Sequence, residues 1–280
     1  MSDNWIVNNI QSSFNTWNEK LAEIWQLVSQ SPQSFKGGDI WNVIVGINGA
    51  LKAIGYALLV IFFAMSVFGG TMNLKELKNW QTSFRYFIRF VCAKTAVTFG
   101  MDIMISVFSI CNGVVSKVAT SMGSISAATI TLPGEIQNTI ESLGFLESIP
   151  LWLVTLLGTL IITVLSIYMI MSIYGRFFRL YIYTAIAPLP LATFAGESTS
   201  ATGKAFLKSY IGVCMEGAII VICCIIFGVY INSATPGIPI SGPAVSQVWS
   251  YLGETIFNML VLVGLIKGSD RISKEILGLN

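Results

Sequence analysis

Apolar stretches of twenty or so residues recur along the chain, separated by shorter polar segments. They fall at about Gly46 to Met72, Tyr86 to Cys111, Leu151 to Tyr174, Tyr210 to Asn232 and Val248 to Ile266. About 20 helical residues, rising 1.5 Å each, cross a hydrocarbon core about 30 Å thick, so each stretch predicts a spanning helix. The third is the cleanest, because no charge occurs between Glu147 and Arg176 and Pro150 sits where a first helical turn tolerates it. A sixth stretch, Phe177 to Ala195 (FFRLYIYTAIAPLPLATFA), carries Arg179 inside it. Its Pro188 and Pro190, two residues apart, remove consecutive backbone hydrogen bonds, so it is either a broken, re-entrant hairpin or a sixth span.

The first 45 residues are polar and lack a basic segment leading into an apolar one, so a retained tail is expected rather than a cleaved signal. Within the tail Phe14, Trp17, Leu21, Ile24, Trp25 and Val28 recur at three- and four-residue spacing, with Pro32 just beyond. That spacing predicts an amphipathic helix, packed either on the rest of the protein or in the membrane interface. The expected architecture is therefore all-α. It is a polytopic transmembrane helix bundle of about five spanning helices, a proline-broken re-entrant or sixth segment, and an N-terminal amphipathic helix. Residues 1–45 form the tail and residues 46–280 a single membrane domain.

Composition sharpens this. Of 280 residues only 11% are charged, against about 25% in a soluble domain, while 54% are hydrophobic. The mean hydropathy is +0.73. These values exclude a soluble enzyme, an isolated nucleic-acid-binding module and a disordered chain. The absence of histidine removes the commonest general base and the usual transition-metal ligand. Cys92, Cys111, Cys214, Cys223 and Cys224 lie in or beside apolar stretches without C-x-x-C spacing and read as buried small hydrophobes. No phosphate-binding loop, dinucleotide fingerprint, H-E-x-x-H or G-x-S-x-G occurs, so no catalysis, cofactor or metal is expected.

Short cytoplasmic loops collect Lys and Arg. If five helices span and the segment 176–208 returns to the side it left, most of the 16 basic residues face one compartment: Lys75, Lys78, Arg85, Arg89, Arg176, Arg179, Lys204, Lys208, Lys267, Arg271 and Lys274. This places the N-terminus outside, the C-terminus in the cytoplasm, and residues 112–149 in a long external loop that either caps the bundle or gates an exit. Six spans would move Lys204 and Lys208 outside and strand the lysine-free loop from Asn232 to Gln247 in the cytoplasm.

A charge near the centre of a span costs about 2.5–3.5 kcal/mol on insertion scales, so each one asks for a partner or a wet cavity. Lys52, Lys94, Asp102, Glu216 and Glu254 are the candidates, either as ion pairs or as the lining of a polar path. Gly49, Ala53 and Ala57 repeat at intervals of four and offer a narrow face for close helix packing, within one subunit or between subunits.

The segment YGRFFRLYIYTAIAPLPLATFAGESTSATGKAFLKSYIGVCMEGAIIVI, from Tyr174, resembles the core of the TrbL and VirB-six class of type IV secretion subunits. The resemblance rests on Arg176 to Arg179, the APLP turn from Ala187 to Pro190, Gly196 and Glu197, and the helix carrying Lys204, Lys208, Gly212 and Glu216. It implies a non-enzymatic channel or scaffold subunit that helps pass DNA, or a relaxase–DNA complex, across the cell membrane. It also implies secretion ATPases and other secretion subunits as partners and assembly into oligomers. Pro188, Pro190, Gly196 and Glu197 would then form the re-entrant motif. Arg176, Arg179, Lys204 and Lys208 would meet ATPase partners or anionic lipid headgroups. A small-solute transporter or ion channel, and an assembly platform that conducts nothing, are the rival readings.

Overall fold

The computed structural model describes residues 4–70, 80–121, 129–233 and 243–279. Lys75, Lys78, residues 122–128 of the expected external loop and residues 234–242 of the lysine-free loop lie outside the described residues. Among the described residues all regular secondary structure is helical, without strands. The helices are α1 (Trp5–Ser29), α2 (Asp39–Gly70), α3 (Trp80–Thr98), α4 (Gly100–Ser121), α5 (Gly134–Glu141), α6 (Phe145–Ile186), α7 (Pro188–Ala192), α8 (Ser200–Ser233) and α9 (Ala244–Ile276). Short 3-10 turns occupy Phe35–Gly38 and Thr193–Ala195. Five helices among the described residues, α2, α4, α6, α8 and α9, are long and apolar enough to cross a membrane.

Two windows differ from the sequence expectation. The stretch from Tyr86 to Cys111, expected as one span, is divided between α3 and α4. Phe99 stands between the two helices, although Phe99 N–H still donates to Thr95 O and Ile103 N–H to Phe99 O. Hydrogen bonds of helical spacing thus still run through Phe99. At this boundary Gly100 lies so close to Leu191 that an added Cβ would come within 2.9 Å of its Cδ1. Conversely, Leu151 to Tyr174 and the entry to the proline-rich stretch are one helix. α6 starts ahead of Pro150 and runs 42 residues, through Arg176 and Arg179, to Ile186.

The chain forms two compact units. The first comprises Met1–Ser29, Val115–Tyr174 and Ala218–Ser269. Its centre is the apolar face of α1, where Ile6, Ile10, Phe14, Trp17, Leu21, Ile24 and Val28 are buried. Of the two placements open for this helix, the structure shows packing on protein. Trp5 stacks at a tilt on Trp152 of α6 with ring centroids 5.7 Å apart, and Phe14 meets Tyr251 of α9 edge-on at 6.4 Å. Asn18 accepts from Ile130 N–H and donates to Ile130 O, pinning the segment that leads into α5.

The second unit comprises Gln30–Val114, Gly175–Gly217 and Asp270–Asn280. Here α6 and α8 form an antiparallel helical hairpin, with Tyr183 facing Phe206 and Tyr210 across it. The connection is α7 and its 3-10 turn, against which α2 and α3 pack. Proline chemistry explains both the break and its repair. Within a continuous helix Thr184 O would accept from the N–H of residue 188, but Pro188 has none. Asn48 of α2, 1% exposed, supplies the missing donor: its Nδ2 lies 2.7 Å from Thr184 O. Gly55 then lets α2 close on the turn, since a Cβ there would sit 2.9 Å from Pro188 O. Further along, Thr193 Oγ1 donates to Pro190 O, Thr199 Oγ1 to Thr193 O, and Glu197 N–H to Ser66 Oγ.

Replacing Asn48 by Leu keeps the volume and removes the donor, leaving a buried carbonyl unsatisfied at a cost of about 1–3 kcal/mol. A lowered thermal midpoint in detergent is expected for Asn48→Leu. An unchanged midpoint would show that the amide does not sustain the turn.

Candidate functional site, a charge network at the helical hairpin

The hairpin places Arg176 and Arg179, three residues apart on α6, on the face toward α8, because residues at that spacing share one side of a helix. Arg176 is fully buried. Its Nε donates to Val213 O at 3.2 Å and its NH2 to Cys214 O at 3.3 Å, both carbonyls of α8. The guanidinium carbon lies 5.9 Å from the ring centres of Phe108 and Phe177, within cation–π range. Gly217 leaves room for this group: a Cβ there would fall 2.7 Å from Arg176 Cζ, so the guanidinium would have to shift. A buried cation is thus solvated by backbone carbonyls and aromatic faces in place of water.

Arg179 carries the link to a third helix. Its NH2 lies 2.7 Å from both oxygens of Glu216, a carboxylate 3% exposed, and its NH1 lies 2.5 Å from Asp270 Oδ1 of α9. Asp270 Oδ2 in turn accepts from Lys274 at 2.8 Å. One guanidinium therefore joins α6, α8 and α9, and the network runs outward from buried Glu216 through Asp270 to the half-exposed Lys274. Beside it Ser273 Oγ donates to Gly212 O at 2.5 Å, tying α9 to α8 again. Arg271 and Glu275 form a further pair on the exposed side of α9, of the kind that contributes little to stability.

The candidates from sequence separate clearly. Glu216 is an ion-pair residue, and its partner is Arg179. Arg176 and Arg179, expected on a surface that meets ATPases or lipid headgroups, instead have their donors engaged inside the protein. Arg176 in particular has no surface to offer. Glu197 pairs with Arg89 at 3.1 Å, so α3 is fastened to the hairpin turn. Lys204 and Lys208 are exposed on α8. Lys94, Asp102 and Glu254 are exposed and Lys52 half-buried, and no ion pair joins these four among the described residues. Gly49, Ala53 and Ala57 are also exposed. The packing face of α2 within the subunit is the one carrying Asn48, Gly55, Leu59 and Ser66.

Sequence reasoning passed over Asn48, Gly55, Gly217 and Asp270. For two of them a signal existed: an asparagine inside an apolar run, and a glycine directly after a buried carboxylate. For Gly55 and Asp270 the partner lies more than 90 residues away, and nothing local marks the pairing.

An all-α, multi-pass membrane protein with an internally neutralised charge network at a helical hairpin is the class that fold and site define. Within that class, residues 17–188 match the family described as TrbL/VirB6 plasmid conjugal transfer like protein, and the chain belongs to that family. The match runs from the middle of α1 to the start of α7, so it extends well ahead of the segment that begins at Tyr174, and it ends at Pro188. No curated protein and no solved structure matches the chain.

Arg179→Ala is expected to destabilise by about 3 kcal/mol because it strands the buried Glu216 carboxylate, Glu216→Ala by less because Arg179 keeps Asp270, and the double variant by clearly less than their sum. Denaturant unfolding in detergent reads the cycle, and strict additivity would show that the two side chains are not coupled. Gly217→Val should be at least as damaging, since it displaces the Arg176 guanidinium.

Proposed function

We propose that this chain is a non-enzymatic channel or scaffold subunit in the membrane part of a conjugative type IV secretion system, helping DNA or a relaxase–DNA complex across the cell membrane. The observation that carries this reading is the family match over residues 17–188, joined to five helices of spanning length. A family of conjugal transfer proteins works with other secretion components; here these are the secretion ATPases on the cytoplasmic face and further copies of the same chain. The clustering of Lys and Arg supports an external N-terminus, a cytoplasmic C-terminus and a hairpin turn on the cytoplasmic side.

With Arg176 and Arg179 engaged inside the protein, the exposed Lys204 and Lys208 of α8 are the basic groups available to anionic headgroups or an acidic partner surface. Asp102 and Glu254, exposed on spanning helices, need either water or a partner in the assembled machine.

Deletion of the gene should abolish transfer in mating assays, and formaldehyde crosslinking in transferring cells should capture DNA on the chain. Transfer that needs the chain without any DNA contact would favour an assembly platform. Solute flux through the purified protein in liposomes, with mating unaffected by deletion, would favour a transporter. Cysteines placed at Ser198 and Ser200 should resist impermeant reagents applied outside intact cells, and their labelling from outside would invert the topology.

A further inference from the structure

In the first unit α1 does not lie across the end of the bundle but alongside α6. Trp5 packs on Trp152, and Glu23 accepts from the Tyr174 hydroxyl at 3.3 Å. From Trp5 to Glu23 the helix rises about 27 Å, and from Trp152 to Tyr174 about 33 Å, so the two run side by side in the same direction. A third contact fixes the middle: Phe14 meets Tyr251, whose neighbour Leu252 reaches Gly158 of α6. The stretch of α6 so covered is the charge-free part of a helix long and apolar enough to cross a membrane. α1 therefore occupies the thickness that α6 occupies.

The exposed faces of these two helices are opposite in chemistry. On α6 the exposed side chains include Leu153, Leu157, Leu160, Val164, Ile167 and Met171, a surface suited to lipid tails. On α1 Trp5, Asn8 and Ser29 are exposed toward the two ends, and between them the exposed residues are Gln11, Ser12, Asn15, Glu19, Ala22 and Gln26. At 3.6 residues per turn these six fall within an arc of about 100°, opposite the buried apolar face, and form a stripe about 22 Å long. Amides, a hydroxyl and a carboxylate in hydrocarbon would each lack hydrogen-bond partners, and a carboxylate in a span faces the bundle interior or water. Glu19 sits at the centre of the stripe and on its exposed side.

We infer that the stripe of Gln11, Ser12, Asn15, Glu19, Ala22 and Gln26 on α1 lines a water-filled path through the thickness of the membrane. It has the properties of a wall for a hydrated, extended polymer: mostly uncharged and hydrogen-bonding. α1 is then part of the membrane domain, not an external tail; with five further spans it makes six crossings, which puts both termini on one side and replaces the opposite placement that five spans give. The inference deepens the channel reading and rests on it for the nature of the cargo.

The test is alkylation of single cysteines by a membrane-impermeant charged maleimide in intact cells carrying the complete transfer system. The background replaces Cys92, the exposed native cysteine, by Ser. Asn15→Cys and Val164→Cys are compared because they lie at closely similar depth, with Ser12→Cys and Gln26→Cys extending the stripe. Mating frequency reports assembly for each variant. A thiol in hydrocarbon stays protonated and unreactive, so Asn15→Cys is expected to react about tenfold faster than Val164→Cys, or more. Equally slow reaction at both would overturn the inference, showing the stripe sealed by lipid or by another protein surface. Equally fast reaction would overturn it too, by placing that level outside the bilayer. Reactive stripe positions without DNA crosslinking would leave the path standing and remove the DNA-channel reading.

Discussion

Polar groups removed from water must be satisfied by the protein itself, and in a chain this apolar that constraint governs the hairpin and the charge network alike. Pro188 strips a donor from the end of α6, and the shortfall is met by one amide from α2. Arg176 enters a fully buried position, and its shell is built from two α8 carbonyls, two aromatic rings and the empty side of a glycine. Glu216 is tolerable at 3% exposure because both its oxygens face one guanidinium. In each case the cost of desolvation is large and the compensation is geometric.

The architecture could be read from the chain because a spanning helix is announced by local composition. α2, α4, α6, α8 and α9 each carry their own apolar run, and the amphipathic period of α1 was visible at Phe14, Trp17, Leu21, Ile24 and Val28. The pairings were not legible, because they join residues distant in sequence. Glu216 stood out as an anomaly, but whether Lys94, Arg176 or Arg179 answered it depended on rotations about helix axes that hydropathy does not encode. The same limit explains Gly49, Ala53 and Ala57. Small residues at intervals of four mark a face on which backbones can approach, yet the chain packs α2 through Gly55, where Pro188 is presented. The boundary between α3 and α4 escaped detection because it falls inside one apolar run, and hydrogen bonds of helical spacing still pass through Phe99.

Membership of a conjugal transfer family and a network of this kind are mutually informative. A guanidinium and carboxylate paired with each other brace α6, α8 and α9, and the proposed cargo and partners would meet exposed groups instead. The exposed Lys204 and Lys208, the polar side of α1 and the small face of α2 meet that description, while the buried arginines do not.

The bond between Asn48 and Thr184 spans 136 residues of chain. Synthesis runs from the N-terminus, so α2 is made and delivered to the bilayer long before its acceptor exists. Until the ribosome has passed the prolines, the amide must make do with water or with the insertion machinery. The finished turn is consequently a late event in biogenesis, and a chain interrupted anywhere before it is left with an amide-bearing helix that has nothing to close upon.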